Sequence, residues 1–268
     1  MIVGFLAEMA RATRTSLDAP DYLDGVPTTR PFPPPSLRAA VEKDRSPGGL
    51  LAEFKRRSPG AAEPDLPPRT PAAFVRGLEA AGVAGYSALA SRPQFRGSPA
   101  DVAAVVGATE LPVLFKDFII DAKQVDAAAR CGASAILLIA RLETSGLLEV
   151  PLASLAERAH SLGLEVLLEW HARAELRQTE DVAADMFGVN VRDLDTLQMR
   201  PDVAAETLAE AGGHRPLLGL SGVTGPEQAR RFWAQDVDGI LVGSGLARAA
   251  NPGAFLASLR RSASGVDE

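Results

Sequence analysis

Glu53 and Lys55 stand two residues apart in LLAEFKRRSPG, residues 50–60, where an apolar run turns abruptly basic. In a strand, side chains at such spacing share one face, so a carboxylate and an ammonium group point to the same side. Other apolar runs end in the same way. Lys116 closes LPVLFK, Glu169 closes LEVLLE, Asn190 closes DMFGVN with Arg192 just beyond, and Ser221 closes RPLLGLS. Two lysines, two carboxylates and an asparagine brought together would form an acid–base set, able to protonate a developing oxyanion and to take a proton back. A lysine beside other cations and apolar surface has a lowered pKa, so either lysine could serve as acid and base. Gly222 in LSGVTG and Gly243-Ser244 in LVGSGLAR add positions where backbone N–H groups can approach an anion.

Taken singly, each residue has an ordinary explanation. Lys55 heads a basic run of the kind that usually forms a solvated face. Lys116 could pair with Asp117 at the surface, Glu169 could serve the next helix N-terminus, and Asn190 could be a turn residue. Cys131 reads as a small core residue, His160 and His171 as helix-surface residues, and Trp170 and Trp233 as packing. The functional reading rests on concurrence at equivalent strand ends.

The elements that would position them follow a rhythm. Short apolar runs occur at 50–55, 85–90, 111–116, 134–140, 164–169, 185–190, 215–221 and 238–244, with Ala-rich segments of helical spacing between them. Their starts lie roughly 20 to 35 residues apart, the size of a strand-plus-helix unit. Near-continuous apolar strands alternating with helices predict a parallel sheet covered by helices, and eight units in about 250 residues predict a (β/α)8 barrel. A doubly wound sheet would want a Gly-x-Gly-x-x-Gly turn after its first strand, and none is present. In a barrel the strand ends listed above share one mouth, and phosphate sites are commonly built by the loops after strands 7 and 8. A phosphorylated small substrate follows.

Residues 1–49 read as a helical extension packed on the barrel, 50–262 as the barrel and 263–268 as a flexible tail. The extension opens on an amphipathic helix rather than a signal peptide, passes through the proline-rich DAPDYLDGVPTTRPFPPPS, and resumes with LRAAVEKD capped by Ser36. A hydrophobic content of 46%, 23% charged residues and a net charge of −6 indicate a soluble globular protein with no call for a nucleic-acid or membrane partner. One cysteine excludes an intrachain disulfide and a multi-cysteine zinc site, and three histidines lack ligand-like spacing, so no metal is expected. The expected compartment is the cytoplasm.

In this order, AEFKRRSP, FKDFIID, LEVLLE, VNVRDLDT and LVGS resemble the indole-3-glycerol phosphate synthase family, over nearly the whole barrel. The resemblance implies ring closure, decarboxylation and dehydration of 1-(2-carboxyphenylamino)-1-deoxyribulose 5-phosphate, with no cofactor and a monomeric enzyme. It implies Lys116 as the acid of ring closure and Glu169 as acid–base partner at dehydration. Lys55 would pair the substrate carboxylate or donate a proton, Glu53 would orient a lysine or a substrate hydroxyl, and Asn190 and Ser221 would complete the polar wall. Ser58, Gly222, Gly243 and Ser244 would hold the phosphate. Pro59, Phe95, Phe118 and Leu137, with Leu194 and Leu241, would form the apolar slot for the aryl ring, with Arg192 at its edge and Phe5 as a lid.

Three departures stand out. Leu220-Ser221-Gly222 replaces the family's Glu-Ser-Gly, Ser58-Pro59-Gly60 replaces Ser-Pro-Ser, and Leu89-Ala90-Ser91 replaces Leu-Thr-Glu. They leave two other readings open: a related lyase or cyclase on another anthranilate-type aminosugar phosphate, and a barrel that binds a phosphorylated ligand without catalysis. A sister barrel, phosphoribosylanthranilate isomerase, would want a cysteine at the end of strand 1; Cys131 is far from there.

Overall fold

The fold was analysed on a computed structural model, which describes residues 4–28, 33–43, 48–60, 65–67 and 69–262. The expected tail, 263–268, lies outside the described residues, as does Asp44 at the end of LRAAVEKD. The strands are β1 (Gly49–Phe54), β2 (Gly85–Leu89), β3 (Val113–Lys116), β4 (Ala135–Ile139), β5 (Glu165–Trp170), β6 (Met186–Asn190), β7 (Leu217–Leu220) and β8 (Gly239–Val242). Each pairs in parallel with the next, and β8 pairs with β1, closing an eight-stranded barrel. Two helices precede it, α1 (Phe5–Leu17) and α2 (Leu37–Lys43). Around it run α3 (Pro71–Arg76), α4 (Pro99–Val106), α5 (Ala122–Cys131), α6 (Ala140–Thr144), α7 (Leu152–Ser161) and α8 (Arg173–Gln178). The circuit ends with α9 (Pro201–Glu210), α10 (Pro226–Trp233), α11 (Ser244–Arg248) and α12 (Pro252–Arg261).

The strands are buried on both faces, which is why their sequences run apolar rather than alternate. Two of the strands start two residues inside their apolar runs, each just past a proline. Pro112 and Pro216 have no N–H for a ladder, and β3 and β7 begin just after them. Helix starts are written in side chains: Thr70, Ser98, Asp121 and Asn251 each accept a backbone N–H at the start of α3, α4, α5 and α12. Ser36 caps α2 as expected, its Oγ accepting from Ala39 N at 2.9 Å. Glu165, the first residue of β5, accepts from Leu37 N at 2.8 Å and Arg38 N at 2.9 Å, fastening α2 to the barrel. Leu37 and Val41 of α2 and Leu6 and Met9 of α1 are buried in the common core.

Inside the barrel, β6 approaches β7 through Gly188. A Cβ at that position would lie 2.6 Å from Leu220 Cδ1 and 3.1 Å from its Cγ. Leu220 thus fills the space a side chain on β6 would need. Gly188→Ala is expected to lower unfolding free energy by about 1–3 kcal/mol through overpacking, measured by urea denaturation. Adding Leu220→Ala should recover part of that loss; an additive second loss would refute the clash.

Candidate active site

At the C-terminal end of the barrel, Glu53 and Lys55 project from β1 and its end into one cavity, and Lys116 reaches it from the end of β3. Glu53 Oε1 is 2.7 Å from Lys55 Nζ and its Oε2 is 3.5 Å from Lys116 Nζ, so one carboxylate bridges two ammonium groups. Burial would neutralise Glu53, but Lys55 and Lys116 hold its carboxyl below the usual range. The lysines differ. Burial, against the pull of Glu53 and aided by the charges of Lys116 and Arg192, lowers Lys55. Burial also opposes charge on Lys116, but Glu53 and Glu169 together raise it. Of the two, Lys116 is the more firmly charged and Lys55 the more readily deprotonated. Gly243, just after β8, makes this packing possible: a Cβ there would sit 2.7 Å from Lys55 Nζ and against the Glu53 carboxylate.

Glu169 lines the same cavity from β5, almost wholly buried. His171 Nε2 is 3.2 Å from its Oε1. Burial favours the neutral acid, yet His171, with Lys116 and Asn190 adding to it, keeps Glu169 below the ordinary carboxylate range. The expectation of His171 at a helix surface is wrong, because its side chain is only 1% exposed. Glu175, four residues on in α8, accepts from His171 backbone N at 2.6 Å, and its Oε2 lies 3.7 Å from the ring Nδ1. His160 is exposed and pairs with Asp185, and Trp170 packs on Phe187, as a surface histidine and a packing tryptophan should. Asn190 Oδ1 accepts from Arg192 N at 2.9 Å, so this residue shapes the turn after β6 as well as facing the cavity.

On the side of β7 and β8, Ser58 and Ser244 hydroxyls lie 2.8 Å apart, bridging the loop after β1 to the start of α11. Ser221 (φ 67°) and Gly222 (φ 79°) are successive residues with left-handed backbone, which glycine adopts freely and serine rarely. Opposite lies the apolar wall. Phe118 meets Phe5 of α1 edge-on at 6.4 Å and Phe95 at 6.1 Å; Leu137 and Leu194 also line the cavity, as do Pro59, next to Ser58, and Leu241 of β8 on the side of the serines. Arg192 lies at the edge, its Nη1 donating to Leu197 O at 2.8 Å. The structure brings all of the expected site residues to this one cavity. Among the described residues no three His, Cys, Asp or Glu side chains converge as a metal site requires.

Sequence reasoning missed Leu89, Ile139, Leu197 and Thr224 in the lining, whose types carry no chemical signal. The ordinary alternative for Lys116, a surface pair with Asp117, does not form. That carboxylate turns away from Lys116 and accepts from Phe118 N and Gln124 Nε2, both at 2.9 Å, and burial pushes it up to about 6. The departures find physical settings. Gly60 has φ 77°, a left-handed conformation that suits glycine. Ala90 and Ser91 are buried, and Ser91 O accepts from Gly97 N. Leu220 is buried against Gly188 beneath the polar ring rather than in the cavity lining.

Comparison with known proteins follows this geometry. The family model described as indole-3-glycerol phosphate synthase matches residues 12–259. Indole-3-glycerol phosphate synthase 2 of Streptomyces coelicolor is 36% identical over 250 residues, 93% of this chain and 92% of that protein. The indole-3-glycerol phosphate synthase of Neisseria gonorrhoeae is 37% identical over 212 residues, 78% of each. Among solved structures, the tryptophan synthase α subunit of Legionella pneumophila superposes with a TM-score of 0.60 at 14% identity, covering 86% of this chain and 98% of that one. Thiamine phosphate pyrophosphorylase of Pyrococcus furiosus gives 0.60 at 18%, covering 82% and 98%; at these identities both show the fold alone. The match over most of the chain, with its relatives, establishes that this chain belongs to the indole-3-glycerol phosphate synthase family.

Proposed function

We propose that the chain converts 1-(2-carboxyphenylamino)-1-deoxyribulose 5-phosphate to indole-3-glycerol phosphate, carbon dioxide and water. The observation that carries this reading is Lys116 held charged beside Glu53 at the mouth of a family barrel. The aryl carbon bearing the carboxylate bonds to the ketone carbon, and Lys116 gives the ketone oxygen its proton. The bond to the carboxylate then breaks; carbon dioxide leaves and its electron pair restores the aromatic ring. Finally the new hydroxyl departs as water after accepting a proton, while Glu169 takes a proton from the neighbouring carbon. The sequence involves no net oxidation, so no redox cofactor enters.

Lys55 faces the substrate carboxylate, with Glu53 orienting both lysines and Asn190 and Ser221 completing the polar wall. Ser58, Gly222, Gly243 and Ser244 bind the phosphate, and the Phe95–Phe118 wall receives the aryl ring with Arg192 at its edge. Residues 1–49 serve as a helical extension whose Phe5 closes over that wall, and 50–262 as the catalytic barrel. We further propose a cytoplasmic monomer acting on a free small molecule, without nucleic-acid or membrane partners. The net charge of −6 supports this, and among the described residues no helix is long and apolar enough to cross a membrane. Leu220 favours one second reading, a related aminosugar phosphate as substrate, since it removes a carboxylate from the polar ring.

Lys116→Met is expected to lower kcat about 10²–10⁴-fold, the usual contribution of a positioned acid, with an unchanged circular-dichroism spectrum; near-native turnover would sink the proposal for Lys116. Gly243→Asp should weaken binding of the phosphorylated substrate at least about tenfold, through charge repulsion and the clash with Glu53 and Lys55. Unaltered affinity, read by titration calorimetry with the Lys116→Met background to prevent turnover, would put the phosphate elsewhere. Leu220→Glu separates the two substrate readings. The main reading expects no gain in kcat on this substrate beyond about twofold, whereas a gain of about tenfold, 1.4 kcal/mol, would favour the second.

A further inference from the structure

Glu169 does not stand alone. Behind it runs a series of groups of alternating charge, none of which the reaction as written uses. His171 Nε2 is 3.2 Å from Glu169 Oε1, and its Nδ1 is 3.7 Å from Glu175 Oε2. Glu175 Oε1 accepts from Arg141 Nε at 2.7 Å, and Arg141 Nη1 donates to Asp193 Oδ2 at 2.9 Å. Asp193 Oδ1 in turn accepts from Asp195 N at 3.0 Å and from Thr196 N and Oγ1, both at 2.9 Å. That loop carries Leu194 and Leu197 of the cavity wall, and Asp195 O accepts from Phe5 N at the start of α1.

We propose that His171 is a positioning residue for Glu169: a standing imidazolium between two buried carboxylates, which fixes Glu169 Oε1 and keeps the group ionised, leaving Oε2 for the substrate.

The physical case is one of charge and space. An isolated carboxylate as buried as Glu169 would take up a proton, because removing it from water penalises the charged form. A base that must accept a proton needs that charge, so something buried must balance it. The charged groups facing His171 are Glu169 from β5 and Glu175 from α8, with Arg141 of α6 behind Glu175 and Lys116 of β3 on the far side of Glu169. Burial works against the imidazolium, but the two carboxylates raise the ring above its ordinary value. Neither ring nitrogen makes a hydrogen bond among the described residues, so the ring acts on the two carboxylates through charge and position: a neutral imidazole would balance neither, whereas the imidazolium faces both. Oε2 of Glu169 has no hydrogen-bond partner among the described residues. The same series reaches the loop that carries Leu194 and Leu197, so the charge of the base and the shape of the aryl wall share one support.

The inference rests on Glu169 being the base of the proposed reaction, and its test separates the two claims. In the ligand-free protein, ¹⁵N spectra of the imidazoles, assigned by single substitution of His160, His171 and His214, should show His171 doubly protonated at pH 7. A neutral ring at pH 7 would overturn the proposal. The ¹³C signal of the Glu169 carboxyl should titrate at least one pH unit higher in His171→Gln than in the native protein; an unmoved titration would overturn it as well. With substrate, His171→Gln should lower kcat at pH 7 about tenfold or more, leave KM within about threefold, and move the acid limb of the kcat profile to higher pH. Loss of kcat with an unmoved acid limb would indicate a merely structural role and refute positioning. If His171→Gln does not fold, Glu175→Gln carries the same measurements. It should shift the Glu169 titration in the same direction by a smaller amount, and no shift would refute the proposal. A charged His171 with the expected Glu169 shift, in a native protein that does not turn over, would refute the reaction and not the positioning.

Discussion

Glu53 is the anion on which the mouth of the barrel depends. Two lysines meet there in a space that excludes most water, and each would repel the other and be penalised for burial. One carboxylate, 4% exposed and shared between both, makes that arrangement tenable. Removing one partner of such a buried group typically costs about 3–5 kcal/mol. The constraint propagates outward. Gly243 lacks a side chain so that Lys55 can reach Glu53, and the chain turns from β8 into α11 at that same residue. Charge placement and the turn from β8 into α11 are thus set by one close approach.

Around that centre the cavity is divided by chemistry. The ammonium groups stand in the middle, the serines and the left-handed turn after β7 on one side, and the three phenylalanine rings on the other. The proposed substrate, with an anionic sugar end, a carbonyl and an aryl carboxylate, has three parts to match those three zones. The asymmetry between the lysines matters most. Both are buried beside Glu53, yet only Lys116 also faces Glu169, so it keeps its proton while Lys55 is pressed to lose one. A donor and a more readily titrated neighbour arise from the same residue type by position alone.

Much of this was legible in the sequence, for a physical reason. Strands buried on both faces must be apolar, so Glu53, Lys116, Glu169 and Asn190 at their ends stand out against the runs that precede them. Once eight such runs imply a barrel, strand ends become neighbours without any contact being known. What escaped was whatever depends on three-dimensional partners. His171 looked like the first residue of a solvent-facing helix, because Glu175 and Arg141 become its surroundings only when α6 and α8 pack together. Asp117, considered as a surface partner for Lys116, is instead bound by the buried amide of Gln124. Gly243 read as an anion-binding glycine, while its most demanding neighbours are Glu53 and Lys55. Leu220 read as a gap in the polar ring; it also fills the space left by Gly188 across the strand pair.

The most direct measurement is product analysis with the native protein and 1-(2-carboxyphenylamino)-1-deoxyribulose 5-phosphate, quantifying indole-3-glycerol phosphate by fluorescence and carbon dioxide by mass spectrometry. The account predicts sustained turnover with the two products formed one to one. No indole product from folded protein, or carbon dioxide released without ring closure, would contradict it.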